Sequence, residues 1–458
     1  MVLTVDELDL MTELASKSFE RVGRDDLLSR YYDGQQRLVQ MGLAVPPELR
    51  NFEVVVNWPR VVVDTIVNRQ DVRSLLSDES DEADDRLTDW WQANDLDSDL
   101  VLLNQDLGIY GRAFMCVGRR EDDPSVPLIT VESPREMTAK VDRRTKRLAA
   151  VLRQYDRDPL NAYQARARTL YLPDETIWAV LEGGQWVEVD RDRHELGRVP
   201  VVMFLNRRRT GEWWGRSEMA DIIPLTDAAA RSLTGLQLAQ ETLAVPQRYA
   251  LGVSKGDFID PATNKPLPVW EAYYGRLFAS ENEKASLGQL AGADLSNFHD
   301  TVRHYGQLAS SVTGFPVKYF GIYTTNPAAE GAIRADEAQM VKQIERKNAQ
   351  TGNAIAWALG IGERIVTGEW PSASKFAVLW HDPGTPTFAQ RADALQKLAG
   401  GVPIISRQGA WDELGWSEAR KDREARYFEE ESASSAYLGL ITEKDQADAG
   451  AEPAVDGA

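Results

Sequence analysis

Little in this chain invites covalent chemistry. Its 458 residues include one cysteine, Cys116, so an internal disulfide is impossible. That residue lies in an apolar run, AFMCV, and reads as a buried structural thiol of a reduced compartment. There are four histidines, His194, His299, His304 and His381. His299 and His304 are five positions apart, which on a helix turns their rings about 140° from each other, so they do not share the ligand face of an i, i+4 pair. His381-Asp382, just before Pro383-Gly384, reads as a strand-end turn. No G-x-S-x-G elbow, phosphate-binding loop or G-x-G-x-x-G fingerprint occurs. Carboxylate pairs abound because the chain is acidic, and sequence proximity selects none of them. No apolar run approaches the ~18 residues of a membrane-spanning helix. The opening MVLTVDELDLMTEL lacks the basic start and apolar block of a signal peptide. Catalytic, metal-binding and membrane-spanning functions have no sequence support, and no cofactor is expected.

Positive charge is also in short supply. Lys and Arg total 52 against 71 Asp and Glu, a net charge of −19. A field of that sign opposes tight, salt-sensitive binding of nucleic acid, though it does not prevent DNA from passing close by. The densest basic cluster, Arg207–Arg208–Arg209, reads as a solvated turn, with phosphate contact as the alternative. The run Asp78–Asp85, acidic at six of eight positions, reads as a solvated loop or helix start. It has neither the glycine nor the distal glutamate of a calcium loop.

What is present is architecture. Residues 6–40 read as helical, broken near Gly23 and ending in YYDGQQRL (Tyr31 to Leu38). Asn57 and Pro59 start a second helix carrying Val61, Val62, Val63, Ile66 and Val67. Two more helices follow, around Asp84–Asn94 and Asp97–Tyr110. From Arg112 the period changes to that of strands: 112–117, 127–131, 147–155, 168–172, 176–181, 185–189 and 199–206, separated by turn signals, form an antiparallel region and not a βαβ repeat. An amphipathic helix then runs from Pro224 to just before Pro246, and residues 247–293 form an insertion rich in Gly, Pro and aromatics. Thirteen tryptophans, several paired or next to glycine, suit domain or subunit contacts. A strand at 375–382 precedes helices at about 387–398, 406–414 and 417–434. The tail after Glu443 is small, acidic and of disordered composition.

The strongest single feature spans Asp294 to Gly360, where a helix, a loop and a longer helix follow one another. Apolar residues Leu295, Phe298, Val302, Tyr305, Ala309 and Val312 recur every three or four positions through the first helix. The opposite face, Ser296, Asp300, Arg303, Gln307 and Ser310, is polar and mixed in sign. Gly314 and Pro316 end the helix. The loop is GFPVKYFGIYTTNP, 314–327, with Lys318 its one cation. The second helix, from Ala328 to Leu359, extends roughly 48 Å if unbroken, with Gly352 a candidate kink.

Taken in order, these features resemble the portal proteins of tailed bacteriophages, the head-to-tail connectors of long-tailed phages. The residues carrying the likeness are GRSEMADIIPLTDA with its pattern G-x-S-x-x-x-x-I-x-P-L-x-D (Gly215 to Asp227), LSNFHDTVRHYGQLASSVTGFPVKYFG, NPAAEGAIRADEAQMVKQIERKN, the early YYDGQQRL and the late GVPIISRQGAWDELGWSEAR. The resemblance implies an α+β fold of portal-like architecture, with a helical stem, an antiparallel β/α wing, a small clip and a helical C-terminal crown. It places a wing at 1–215, stem helices at 216–246 and 294–313, the clip at 247–293 and a tunnel loop at 314–327. The long wing helix with its returning strand falls at 328–383, the crown at 384–435 and an acidic tail at 436–458. It further implies a homo-oligomeric ring, typically of twelve, at a capsid vertex. That ring assembles in the host cytoplasm, and double-stranded DNA passes through it without sequence readout. Its partners would be a terminase motor, head–tail adaptors, and major capsid and scaffolding proteins. On this reading Lys318, Arg303, Ser296, Asp300, Gln307 and Ser310 are DNA-channel candidates. Trp270, Tyr273, Tyr274 and Phe278 are partner-contact candidates on the clip, expected to be poorly buried in one subunit, and the 314–327 loop is expected to lack packing partners there. A cytosolic α+β enzyme with a loop-borne site and another capsid or adaptor protein are the alternatives.

Overall fold

The computed structural model describes residues 3–36, 54–77, 80–158, 161–243, 248–252, 259, 286–289, 295–323, 330–372, 375–384, 388–399, 403–414, 416 and 420–431. The chain divides into two compact units, Met1–Gly384 and Thr385–Ala458.

The first unit opens with α1 (Val5–Tyr32), started by a capping box in which Thr4 accepts from the Glu7 amide and Glu7 accepts from the Thr4 amide. The helix runs through Gly23, where a break was expected. A Cβ there would meet nothing, so this solvent-side glycine carries only the ~1 kcal/mol propensity cost. It is followed by α2 (Trp58–Val67), with Pro59 at its start, then β1 (Val72–Ser77) and β2 (Ser80–Ala83). The acidic run, expected as a loop or helix start, contributes a short strand and then a helix start, where Asp84 caps α3 (Asp85–Ala93) by accepting from the Leu87 amide. After α4 (Leu96–Tyr110) come β3 (Arg112–Arg119), β4 (Pro127–Glu132), β5 (Met137–Val141), β6 (Leu148–Asp158), β7 (Asn161–Tyr171), β8 (Thr176–Glu182), β9 (Gln185–Asp192) and β10 (Val201–Leu205). All pair antiparallel, in a five-stranded sheet β5-β6-β7-β8-β9 and a three-stranded sheet β10-β3-β4. Then come α5 (Ile223–Leu243), a short ribbon of β11 (Arg248–Leu251) with β12 (Ser286–Gln289), α6 (Ser296–Thr313), α7 (Glu330–Thr367) and β13 (Phe376–Trp380). β13 pairs with β1, joining residues some three hundred apart in sequence.

Hydrophobic burial knits these elements into four cores. One lies between α3, α4, the three-stranded sheet and the C-terminal half of α7, centred on Trp90, Leu103, Met115, Ile355 and Leu359. A second joins the end of α1, α2, the start of α5, α6 and the N-terminal half of α7 through Tyr32, Val63, Met219, Phe315, Phe320, Met340 and Ile344. A third seats Met11 and Leu14 of α1 on Leu152, Leu170 and Ile177 of the five-stranded sheet. The fourth, holding Phe114, Cys116, Met137, Val151 and Val201, joins the two sheets. Cys116 is buried there, as expected, and burial pushes its thiol up to about 12.

α7 contains 38 residues, roughly 57 Å at 1.5 Å per residue, and continues beyond Gly360 to Thr367. The helix assignment continues through Gly352. This glycine serves close approach, because a Cβ there would sit 3.0 Å from the Trp380 indole nitrogen of β13. In the second unit α8 (Phe388–Ala399) and α9 (Arg407–Glu413) precede a helix, α10, at 420–431. Trp411 stacks on Trp416 and Phe428, which gives this unit an aromatic centre.

Candidate functional site

The surface that carries the candidate residues comprises α6, the turn after it and the start of α7. α6 behaves as its periodicity dictates. Ala309 and Gly306 are buried, and Phe298 closes on α5, its ring 3.3 Å from where a Cβ on Gly235 would lie. On the other face Ser296, Asp300, Arg303 and Gln307 are exposed, as are His299 and His304. Asp300 and Arg303 stand 4.0 Å apart one turn along the helix, so the one full charge of each sign offsets the other. Ser310 is partly covered, and its hydroxyl donates to the Phe315 carbonyl at 2.6 Å, fastening the helix end to the turn. Gly314 closes the helix with φ +74° and the side chains of Gln339 and Gln343 pressed against it, a place no Cβ can occupy unstrained.

The segment after Gly314 departs from expectation. It was read as a loop without packing partners, but 314–323 is held down. Val317–Phe320 form a 3₁₀ turn, and Phe315 and Phe320 are buried at 2% and 5% exposure. The Phe320 ring meets Trp58 of α2 edge-on at 5.7 Å. Phe315, just before this turn, and Phe320, at its end, enter the same core, and hydrophobic burial outweighs the freedom suggested by the flanking glycines. Residues 324–327 lie outside the described residues, as do Trp270, Tyr273, Tyr274 and Phe278.

Lys318 points back onto α7. Its ammonium is 2.6 Å from Glu337, whose carboxylate is 4% exposed and also lies 3.5 Å from the Arg69 guanidinium. Arg69 in turn donates to the Tyr319 hydroxyl at 2.8 Å and to the Pro383 carbonyl at 2.9 Å. Burial alone would raise the Glu337 pKa, but the hydrogen bond from Lys318 and the charge of Arg69 hold it below the ordinary carboxylate value. One buried anion therefore ties together the turn, the long helix and the α2–β1 corner. Sequence reasoning missed Glu337 and Arg69. The available signal was phase: Glu337, Met340, Ile344, Asn348, Thr351 and Ile355 are spaced three or four apart, so Glu337, Asn348 and Thr351 stand on the apolar stripe and are buried.

The GRSEMADIIPLTD segment has a comparable physical basis. Gly215 has φ +59°, and a Cβ on it would fall 1.9 Å from the Gly111 carbonyl oxygen. The backbone is tied by Asn206 N to Gly111 O and Arg216 N to Asn206 O, both at 2.9 Å. The Tyr31 hydroxyl of YYDGQQRL donates to the Asp227 carboxylate at the end of the motif, lying 3.0 and 2.9 Å from its two oxygens. Of the Arg207–Arg209 cluster, Arg207 pairs with Asp221 at 2.6 Å and Arg208 lies 3.9 Å over the Trp213 ring.

Two clefts of about 300 Å³ each flank the middle of α7, one between α2, α4 and β10 and the other at the end of α6. Lys347, which lines both, is paired with Glu218 and donates to Asn206 at 2.6 Å. Groups with strongly displaced proton affinities, Cys116, Tyr171 and Asp106, line neither cleft. Among the described residues no group of three or more His, Cys, Asp or Glu could hold a metal, and no helix is long and apolar enough to cross a membrane.

These features define an α+β protein in which α6 presents an exposed polar face of mixed, nearly neutral charge. The chain belongs to the SPP1 Gp6-like family of phage portal proteins, whose family model matches residues 13–436. It is 37% identical over 423 residues to the portal protein of Mycobacterium phage D29, covering 90% of this chain and 86% of that one. It is 35% identical over 451 residues to the portal protein of Mycobacterium phage L5, covering 95% and 91%. Among solved structures it is similar to a chain in the neck of an empty gene transfer agent particle computed with C6 symmetry (13% identity, TM-score 0.48, 85% of this chain and 93% of that one). Another is in the neck of the native particle computed with C12 symmetry (12% identity, TM-score 0.46, 85% and 92%). Its function is that of a tailed-phage portal, a structural component of the virion serving DNA packaging.

Proposed function

We propose that the chain acts as one of twelve copies in a closed ring at a capsid vertex, with α6, the 314–327 segment and the start of α7 turned toward the DNA path. The observation that carries this reading is the polar face of α6. It is exposed from Ser296 to Gln307, bears one cation and one anion in mutual contact, and belongs to a chain of net charge −19. A channel for a sliding polyanion must avoid the counterion release that would hold it, and a nearly neutral face does so. Ser296, Asp300, Arg303, Gln307 and Ser310 then border the path, and Lys318, 42% exposed despite its pairing, offers phosphates a transient contact.

The same reading assigns 1–215 and 328–383 to the wing, 216–246 and 294–313 to the stem, 247–293 to the clip, 384–435 to the crown and 436–458 to the tail. The clip, with Trp270, Tyr273, Tyr274 and Phe278, would meet the terminase motor and head–tail adaptors. The wing and crown would meet major capsid and scaffolding proteins during assembly in the host cytoplasm. Electron microscopy of the purified protein tests the core of this reading. The expected result is closed, twelvefold rings with a hole wide enough for duplex DNA. A protein that stays monomeric at high concentration overturns it.

A further inference from the structure

Of the two clefts, the one between α2, α4, β10 and α7 contains a group the fold leaves unfinished. Asn104, on α4, is 3% exposed and lines this cleft, yet neither its carboxamide nitrogen nor its oxygen has a hydrogen-bond partner. A buried amide with both ends unmet has lost its water hydrogen bonds without replacement, which destabilises the isolated subunit. The apolar walls, Val63, Ile66, Leu107 and Phe204, offer it nothing, and Lys347 opposite is already engaged by Glu218 and Asn206.

We propose that this cleft receives a stretch of a second copy of the chain, one that presents an amide, from main chain or from an Asn or Gln side chain, to Asn104. Three features select that occupant. First, a donor and an acceptor side by side on one carboxamide complement another amide. Second, the cleft is not closed around a small ligand. Glu218, Lys347 and Gln350 also line the second cleft, which reaches Val312 and Thr313 at the end of α6. Together they form a trough suited to extended chain. Third, the trough is lined by cations Arg207, Arg208, Arg346 and Lys347 against anions Glu218 and Asp221, whereas the chain as a whole carries −19. An acidic stretch of an identical neighbour supplies the complementary charge. The inference rests on the ring reading and deepens it by naming where one subunit enters the next.

The test compares wild type, Asn104→Leu and Arg346→Glu by sedimentation and native mass spectrometry, with thermal melting of the dissociated subunit alongside. Each variant is expected to raise the subunit concentration needed for rings about tenfold or more while leaving the subunit's own melting temperature undiminished. Arg346→Glu changes an exposed side chain, so it carries the test if Asn104→Leu fails to fold. Wild-type rings that form equally well with both variants overturn the inference and leave the ring reading intact. So does a cryo-EM map of the ring in which the trough holds only water or a small molecule. A wild type that forms no rings overturns both.

Discussion

At Gly215 a single missing side chain decides whether two segments can meet. Its positive φ and the 1.9 Å approach of the Gly111 carbonyl to a would-be Cβ leave no rotamer or small shift that accommodates alanine. Gly215→Ala is therefore expected to cost more than about 3 kcal/mol, read as a lowered denaturation midpoint in urea. Exposed Gly23→Ala, by contrast, should stabilise α1 by roughly 0.5–1 kcal/mol. Asp106 makes a second prediction at this scale. Burial raises its pKa from 3.8 to about 7 against the opposing influence of Arg112 and Arg135. The folded state thus holds a proton that the unfolded chain releases, so its contribution is fully present below about pH 3.8 and is lost as pH rises to about 7. Asp106→Asn should raise the melting temperature at pH 8, and the gain should shrink steadily as the pH is lowered towards 4. A pH-independent effect would refute the assignment. Asp106 was not legible in the sequence as special, and Gly215 only as the opening of a motif, because both effects arise from neighbours far along the chain: Gly111 for the glycine, the elements packed on α4 for the aspartate.

Elements were more legible than their surroundings. The stripe of α6 and the strand period from Arg112 onward follow from burial on one face, which is local information. Whether a helix stops at a glycine is not: α1 passes Gly23, where a Cβ would meet only open space. The 314–323 segment was misread for the same cause, since glycines and proline signal a turn but not what the intervening Phe315 and Phe320 will find. Its anchoring yields a prediction for the element. Glu337→Gln removes the anion shared by Lys318 and Arg69, and should cost about 1–3 kcal/mol, discounted because Lys318 is partly exposed. Amide exchange at 317–321 should accelerate. Since the Glu337 pKa is depressed from 4.5, its stabilisation is present above about pH 4.5 and fades as pH falls through its lower folded value. Wild type should therefore lose protection at this turn on acidification, while the Gln variant should not change over that range.

For the molecule as a whole, the order of parts in the sequence was enough to indicate a portal, because that order resembles the family's. The ion-paired anchor of the turn and the cleft around Asn104 were invisible, because they join residues from α2, α4, β10 and α7 that no local pattern connects. A conduit whose lining is nearly neutral should show DNA retention that scarcely depends on salt. Asp300→Lys together with Gln307→Lys in every subunit should convert the ring into one that holds duplex DNA, with affinity falling steeply as salt rises. Unchanged retention would argue that α6 faces elsewhere. The long helix has a consequence of another kind. Its N-terminal half contributes Met340 and Ile344 to one core, and its C-terminal half contributes Ile355 and Leu359 to another. Neither core can lose its order while the rod they share stays intact, so the two should melt as one cooperative unit, and the amides of Met340 and Leu359 should open with the same free energy.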